Sequence, residues 1–276
     1  MKKGLNVWTI NDSYNFEETF AAVAKAGFDG IELNVDKPGR SAHSLTLETT
    51  EEDYAMIRGL SEKYSLPVTS ISTSCPHHLT GDYSLHGEAK KYLFKQIEAA
   101  KALGAKGVLS VPGGVTDTIS LKQAVDASID FYKSVRAEVE ASGILVGLEN
   151  VAANRFLISP YDVVSMVDQI GSPSIGSYYD VGNVLRFAEG EHWAEVLDKR
   201  IMFVHVKDYL RTGKWEIERA PLLEGSGNWP KIVAALKATG FDGYLTAEVP
   251  AGHNFESDAA YYADVAKKID QLIAMA

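Results

Sequence analysis

Short apolar runs recur along the whole chain and are separated by longer stretches with helical periodicity. The runs are rich in β-branched and aromatic residues, which is typical of parallel strands buried on both faces. Between them, apolar residues such as Leu93, Ile97 and Ala100 repeat at i, i+4 and i+7, which predicts amphipathic helices. The eight runs are GLNVWTI (4–10), GIELNV (30–35), LPVTSIS (66–72), KGVLSV (106–111), ILVGLEN (144–150), IGSYYDV (175–181), IMFVHVK (201–207) and YLTAEV (244–249).

One helix-to-strand connection is repeated early, in the middle and late in the chain. It reads AGFDGI at 26–31, LGAKGV at 103–108 and TGFDGY at 239–244, with a glycine suited to the left-handed position that ends a helix. No Pro/Ser-rich or charged linker interrupts the series, and 276 residues suit an α/β barrel of roughly 250 residues. An open doubly wound sheet is the rival fold, but the first run lacks the G-x-G-x-x-G turn that often accompanies it. We therefore predict an α/β fold, a single (β/α)8 barrel that forms one domain over residues 1–276.

Charge and composition exclude several function classes. The net charge of −10 has the wrong sign for a protein that binds phosphodiester backbones, so we expect no nucleic-acid partner. The single cysteine, Cys75, cannot form an internal disulfide, which favours a reducing compartment. No apolar run behind Lys2 and Lys3 looks like a signal peptide, and none is long enough to span a membrane. We expect a cytoplasmic protein without a membrane partner.

Four successive strands end in residue types that bind metals. Glu149, Asp180, His205 and Glu248 fall at the ends of the fifth to eighth runs, and the carboxyl ends of barrel strands are where such folds carry their chemistry. Three carboxylates brought together are costly unless a cation compensates them. One imidazole and three carboxylates suit manganese, cobalt or magnesium better than a structural zinc bound by thiolates. The pattern predicts one divalent ion.

Motifs between residues 148 and 249 resemble a known family. LENVAANRF, YYDVGNVLRF, VHVKDYLR and LEGSGNWPKIVAALKATGFDGYLTAEV are similar to segments of the sugar-phosphate isomerase/epimerase family, the xylose isomerase-like TIM barrels that include the ketose 3-epimerases. NVWTI, AGFDGIEL and ALGAKGVL extend a looser resemblance into the N-terminal half. The resemblance implies a TIM barrel with one divalent ion held by Glu149, Asp180, His205 and Glu248, the two glutamates also being the acid/base pair. Mn²⁺ is the expected ion, with Co²⁺, Mg²⁺ and Zn²⁺ as alternatives.

The reaction that we expect is a carbohydrate isomerisation or epimerisation, specifically ketose 3-epimerisation. Glu149 and Glu248 would transfer protons on the two faces of a carbon beside a ketone, through an enediolate that the ion stabilises. Dehydration or isomerisation of an inosose, or another metal-dependent cleavage beside a carbonyl, uses the same proton abstraction and stays open. An abasic-site endonuclease needs a basic face and many histidines at strand ends. The acidic net charge and the total of only seven histidines therefore disfavour it. A non-catalytic sugar sensor would not need both glutamates.

Candidate substrate contacts surround these ligands in the sequence. Asn183 stands where many ketose 3-epimerases carry a histidine; it cannot be a general acid but can donate a hydrogen bond to a sugar oxygen. Glu32, on an early strand, is a candidate for lining the same pocket. The partner is a small-molecule sugar, and its phosphorylation and a homo-oligomeric state of the protein stay open. The predicted substrate-binding residues are Trp8, His78, Asn183, Lys207 and Arg211.

Overall fold

Eight parallel strands close into a barrel, which confirms the predicted (β/α)8 TIM barrel fold. The computed structural model describes residues 1–73, 79–213, 216–250 and 255–275. The barrel strands are β1 (Lys2–Asn6), β2 (Gly30–Val35), β3 (Val68–Thr73), β4 (Gly107–Ser110), β5 (Leu145–Glu149), β6 (Ile175–Asp180), β7 (Ile201–Val206) and β10 (Tyr244–Ala247). Around the barrel they follow the order β1-β10-β7-β6-β5-β4-β3-β2.

Helices follow the strands, and their apolar faces pack against the barrel. Within the described ranges no helix is long and apolar enough to cross a membrane. Gly27, Gly104 and Gly240 end three of the helical segments at φ of 87°, 73° and 85°, as the repeated connection predicts. The helices are α1 (Phe16–Ala26), α2 (Glu51–Lys63), α3 (His86–Leu103), α4 (Leu121–Ser142), α5 (Pro160–Ile170), α6 (Val181–Leu185), α7 (Gly190–Leu197), α8 (Trp229–Ala238) and α9 (Asp258–Ala274).

The first strand is shorter than the apolar run that predicts it. Strand β1 ends at Asn6, and Val7–Thr9 form a 3₁₀ turn instead. The cause is local, because the Asn6 side chain accepts a hydrogen bond from the backbone N–H of Trp8 at 2.8 Å and so caps the turn. Trp8 consequently leaves the barrel wall and lines the pocket at its mouth.

An antiparallel hairpin follows β7 and was not predicted. It pairs β8 (Asp208–Arg211) with β9 (Ile217–Ala220), and Tyr209 lies opposite Arg219. The two segments, DYLR and IERA, are short and polar, so they lack the apolar run by which buried strands are recognised. The hairpin brings Tyr209 and Arg219 to the pocket that Trp8 lines.

Aromatic side chains fill part of the barrel interior. The rings of Tyr178 and Phe203 stack with centroids 5.1 Å apart. A Cβ atom on Gly147 would lie 2.8 Å from the Cβ of Tyr178 and 3.2 Å from Phe203, so a glycine is needed there for the rings to pack. Tyr178 also contacts the His205 ring, with centroids 4.5 Å apart. The packed interior thus supports the imidazole from one side.

Candidate functional site

Four side chains from adjacent barrel strands converge at one point. Glu149 ends β5, Asp180 ends β6, His205 lies on β7 and Glu248 directly follows β10. One ligand atom from each lies within 4.8 Å of the others. These are the four residues that the sequence singled out. Their spacing is compatible with simultaneous binding of one cation, and carboxylate and imidazole donors suit a divalent metal.

Asp180 is held by the chain around it. Its Oδ1 accepts the backbone N–H of Asn183 at 2.8 Å, which caps the start of α6. The Asn150 side chain accepts from the Asp180 N–H and donates to the Asp180 carbonyl, both at 2.9 Å. The remaining oxygen, Oδ2, accepts the Asn183 amide at 2.9 Å. The hydrogen bonds to Asn183 and the contacts of Asn150 with the backbone therefore fix the direction of this carboxylate before any ligand binds.

His205 is oriented by a second carboxylate deeper in the barrel. Its Nε2 donates to Oε1 of Glu32 at 2.6 Å, and both side chains are fully buried. Glu32 also accepts hydrogen bonds from Asn6, Ser70 and Tyr178. The expectation that Glu32 lines the pocket was wrong, because it lies beneath His205 and fixes its ring. A carboxylate on the far nitrogen of a ligand histidine is typical of metal sites.

The nitrogen of His205 that faces the site has no hydrogen-bond partner among the described residues. Nδ1 is buried and makes no hydrogen bond to any residue that the structure describes, and it lies 3.8 Å from Oε2 of Glu248. Burial alone lowers the pKa of the imidazole, but the charges of Glu32 and Glu248 outweigh it and raise that pKa to about 9. A buried nitrogen without a partner is costly. The residues present therefore fit a metal ion, for which Nδ1 would be a ligand.

Lys207 places its own positive charge among the acidic ligands. Its Nζ lies 2.6 Å from Oδ2 of Asp180 and donates to Oε2 of Glu248. Burial lowers the pKa of the ammonium group, but Asp180, Glu248 and Glu149 raise it well above its usual range. Gly182 leaves the space for this side chain, since a Cβ there would lie 2.0 Å from the Lys207 Cγ. The lysine neutralises part of the negative charge.

The Glu149 carboxyl group is one whose pKa the acidic neighbours raise. Its burial, together with the charges of Glu248 and Asp180, raises the pKa of its carboxyl group well above the usual range. The amide of Asn183 donates to its Oε1 at 3.3 Å. A carboxyl group whose pKa is raised by burial and by neighbouring charges is common at sites of acid/base chemistry.

A cavity of about 390 Å³ opens from this cluster. Of the predicted substrate contacts, Trp8, Asn183 and Lys207 line it. Arg211 lines a neighbouring cavity instead, where it pairs with Glu189 at 3.0 Å. His78 lies outside the described residues.

Three arginines line the same cavity and were missed by the sequence analysis. They stand singly on separate loops and on the hairpin, so no local motif marks them. They are Arg40, Arg186 and Arg219.

This chain spans about half the length of the two curated relatives that it matches. An uncharacterised protein of Methanocaldococcus jannaschii is 26% identical over 157 residues, which is 55% of this chain and 53% of that protein. The 3-oxo-isoapionate decarboxylase of Pectobacterium atrosepticum is 27% identical over 124 residues, 45% of this chain and 42% of the enzyme.

Solved structures share the fold over the whole chain at low identity. A D-tagatose 3-epimerase-like protein superposes with a TM-score of 0.79 at 20% identity, covering 99% of each chain. The IolI protein, solved with a zinc atom, gives a TM-score of 0.80 at 16% identity and covers 99% of this chain and 98% of its own. The sequence model of the xylose isomerase-like TIM barrels matches residues 20–272. This chain belongs to the xylose isomerase-like TIM barrel family.

Proposed function

We propose that this protein is a metal-dependent sugar isomerase or epimerase, and that its reaction is the 3-epimerisation of a ketose. The observation that carries the proposal is the cluster of Glu149, Asp180, His205 and Glu248, whose ligand atoms lie within 4.8 Å of one another beside an open cavity. The D-tagatose 3-epimerase-like neighbour and the zinc-containing one support the same reading. Mn²⁺ is the ion that we expect, and Zn²⁺, Co²⁺ and Mg²⁺ are alternatives.

The strand order separates the two glutamates. In the barrel, β5 and β10 flank β6 and β7, so Glu149 and Glu248 are the outer members of the arc, while Asp180 and His205 are the inner ones. A sugar in the cavity would therefore meet a carboxyl group on each side. Inversion at a carbon requires this arrangement, since the proton leaves from one face and returns to the other.

The roles of the chain's own groups follow from these positions. A bound divalent ion would polarise the sugar's carbonyl and stabilise the negative charge that develops on its oxygens. One glutamate, as carboxylate, removes the proton from C3, and the other, as carboxylic acid, returns a proton to the opposite face. Asn183 and Lys207 line the cavity next to the glutamates and can donate hydrogen bonds to sugar oxygens. Trp8 offers an apolar face to the sugar ring or chain.

A second reaction class is supported by one of the curated relatives. The matched part of the Pectobacterium atrosepticum protein belongs to a 3-oxo-isoapionate decarboxylase. Loss of a group beside a carbonyl, like loss of a proton there, leaves negative charge that the carbonyl oxygen takes up. In such a lyase, one glutamate would protonate the carbon left behind. Dehydration or isomerisation of an inosose belongs to the same class of alternatives.

Proton exchange with solvent distinguishes these reactions. We would incubate the Mn²⁺-loaded protein with D-fructose, D-tagatose or D-allulose in deuterated water and follow C3 by NMR. Epimerisation predicts deuterium at C3 of the inverted product, and a lyase predicts a shorter or dehydrated product instead.

Variants identify the groups that exchange the proton. Glu149→Gln and Glu248→Gln should each abolish the inversion at C3, and Glu62→Gln, on the exposed face of α2, should not. A ketose inverted without any solvent deuterium at C3 would refute the two-base mechanism.

A further inference from the structure

Two arginines that line the cavity differ from the other arginines of the chain in their bonding partners. Of the eight arginines, Arg186 and Arg219 alone make no hydrogen bond or ion pair with any residue in the described parts of the chain. Both line the cavity that contains Glu149 and Glu248. The other six are engaged: Arg40 with Asp12, Arg58 with Glu51, Arg136 with the Ile170 carbonyl, Arg155 with the Val115 carbonyl, Arg200 with Asp168 and Arg211 with Glu189.

Tyr209 neighbours both arginines at the cavity. It lies directly opposite Arg219 in the antiparallel hairpin, and side chains opposite each other across such a pair share one face. The guanidinium carbon of Arg186 lies 5.4 Å from the centre of the Tyr209 ring, a cation–π distance. Arg186 and Arg219 therefore both neighbour Tyr209, and all three residues line the same cavity.

The acidic residues of the cavity are already engaged. Asp208 lines it, but its Oδ2 accepts from the Trp229 indole at 2.8 Å and the Gly225 N–H at 3.1 Å. Glu149 and Glu248 belong to the clustered ligands. The cavity thus has the ligand cluster at one part of its wall and, elsewhere on it, two arginines without a hydrogen bond or ion pair to any described residue, in a chain whose net charge is −10.

We propose that the substrate carries an oxyanion, a carboxylate or a phosphate, which Arg186 and Arg219 bind while its carbonyl end faces the clustered ligands. The planar guanidinium group matches both oxyanions through paired N–H donors. This inference rests on the proposed function for the carbonyl end of the substrate. It names the substrate class as a sugar acid or a sugar phosphate rather than a neutral ketose.

Three ketohexoses that differ only at C6 test the proposal. D-fructose, D-fructose 6-phosphate and D-fructuronate carry a hydroxymethyl, a phosphate and a carboxylate there, and share the C2 carbonyl. We would measure their dissociation constants with the Mn²⁺-loaded protein by calorimetry. One anion should bind at least about tenfold more tightly than D-fructose, and the tighter of the two identifies the oxyanion.

Variants separate recognition of the anion from other effects. Arg186→Gln and Arg219→Gln should each remove the preference for the anion while leaving the affinity for D-fructose unchanged. Arg58→Gln, whose guanidinium lies outside the cavity and pairs with Glu51, should retain the preference. Equal affinity for the three sugars, no measurable binding of either anion, or an equal loss for all three sugars in the variants would overturn the proposal.

The same sugars separate this inference from the proposed function. If an anion binds through Arg186 but no sugar exchanges its C3 hydrogen with solvent, the proposed epimerisation fails and the anion site stands. If D-fructose exchanges that hydrogen and neither anion is preferred, the epimerisation stands and the anion site fails.

Discussion

Replacing Lys207 by methionine should lower the stability of the metal-free protein and raise its affinity for the metal ion. The Lys207 ammonium contacts Asp180 and Glu248, two of the four clustered ligands, and its side chain is only 15% exposed. A cation at this point must be displaced before a metal ion can occupy both carboxylates. Without it, His205, whose pKa is raised to about 9, is the one cationic group left among the three acidic ligands of the metal-free site.

The magnitude follows from the two contacts. Hydrogen bonds to charged groups contribute about 1.5–3 kcal/mol each, and removing one partner of a buried ion pair costs about 3–5 kcal/mol. We expect a loss of about 3 kcal/mol in the metal-free protein. With an unfolding entropy of about 2.1 cal/mol/K per residue and 276 residues, this loss lowers Tm by about 5 °C. Since the competitor is gone, Mn²⁺ should bind at least about tenfold more tightly, which corresponds to about 1.4 kcal/mol.

Calorimetric titration with Mn²⁺ and thermal unfolding with and without the ion measure both effects. Lys268→Met is the matched control, because the Lys268 side chain is 13% exposed and also pairs with two carboxylates, those of Glu224 and Asp264, outside the cavity. It should lose stability without any change in Mn²⁺ affinity. If Lys207→Met binds Mn²⁺ more weakly than the wild type, the lysine supports the ligands rather than competing for them, and the reasoning is wrong.

Three further predictions concern the same site. Glu149→Gln and Glu248→Gln should each lower kcat by at least about 100-fold in an epimerisation assay, and a variant with more than a tenth of wild-type activity would contradict the acid/base assignment. Glu32→Gln should weaken Mn²⁺ binding about 10–100-fold when titrated at pH 9, where a His205 pKa of about 9 limits the effect of proton competition to about twofold, and unchanged affinity would contradict its orienting role. The pKa of His205, raised from 6.5 to about 9, means that the bound proton stabilises the metal-free fold below pH 6.5 and that this stabilisation is lost as pH rises to about 9. Because Nδ1 must lose that proton to bind a metal, Mn²⁺ affinity should rise over the same range, and a flat profile in calorimetry at several pH values would exclude His205 as a ligand.

The barrel and its ligand cluster were accessible from the sequence for a physical reason. Parallel strands buried on both faces appear as continuous apolar runs, and each run locates its own end, where Glu149, Asp180 and His205 lie. The hairpin β8–β9 was missed because its strands are short and polar. Its position over the cavity depends on tertiary structure.

The partners of the site residues depend on the closed barrel. Glu32 and His205 are 173 residues apart, and only the arrangement of the strands places one beneath the other. Arg186 and Arg219 carry no local signal at all, since a single arginine in a loop or a short polar strand is usually solvated. Arg211 was predicted as a substrate contact from the family resemblance, but in the hairpin it pairs with Glu189 instead.

The stoichiometry of bound metal tests the central claim most directly. After exhaustive chelation, equilibrium dialysis against Mn²⁺ followed by elemental analysis should find one ion per chain in the wild type. The exposed control His192→Ala should bind the same amount, and His205→Ala, which lacks the buried Nδ1 ligand, should lose most of it. No stoichiometric ion in the folded wild type, or full binding in His205→Ala, would contradict a metal centre built from these four side chains.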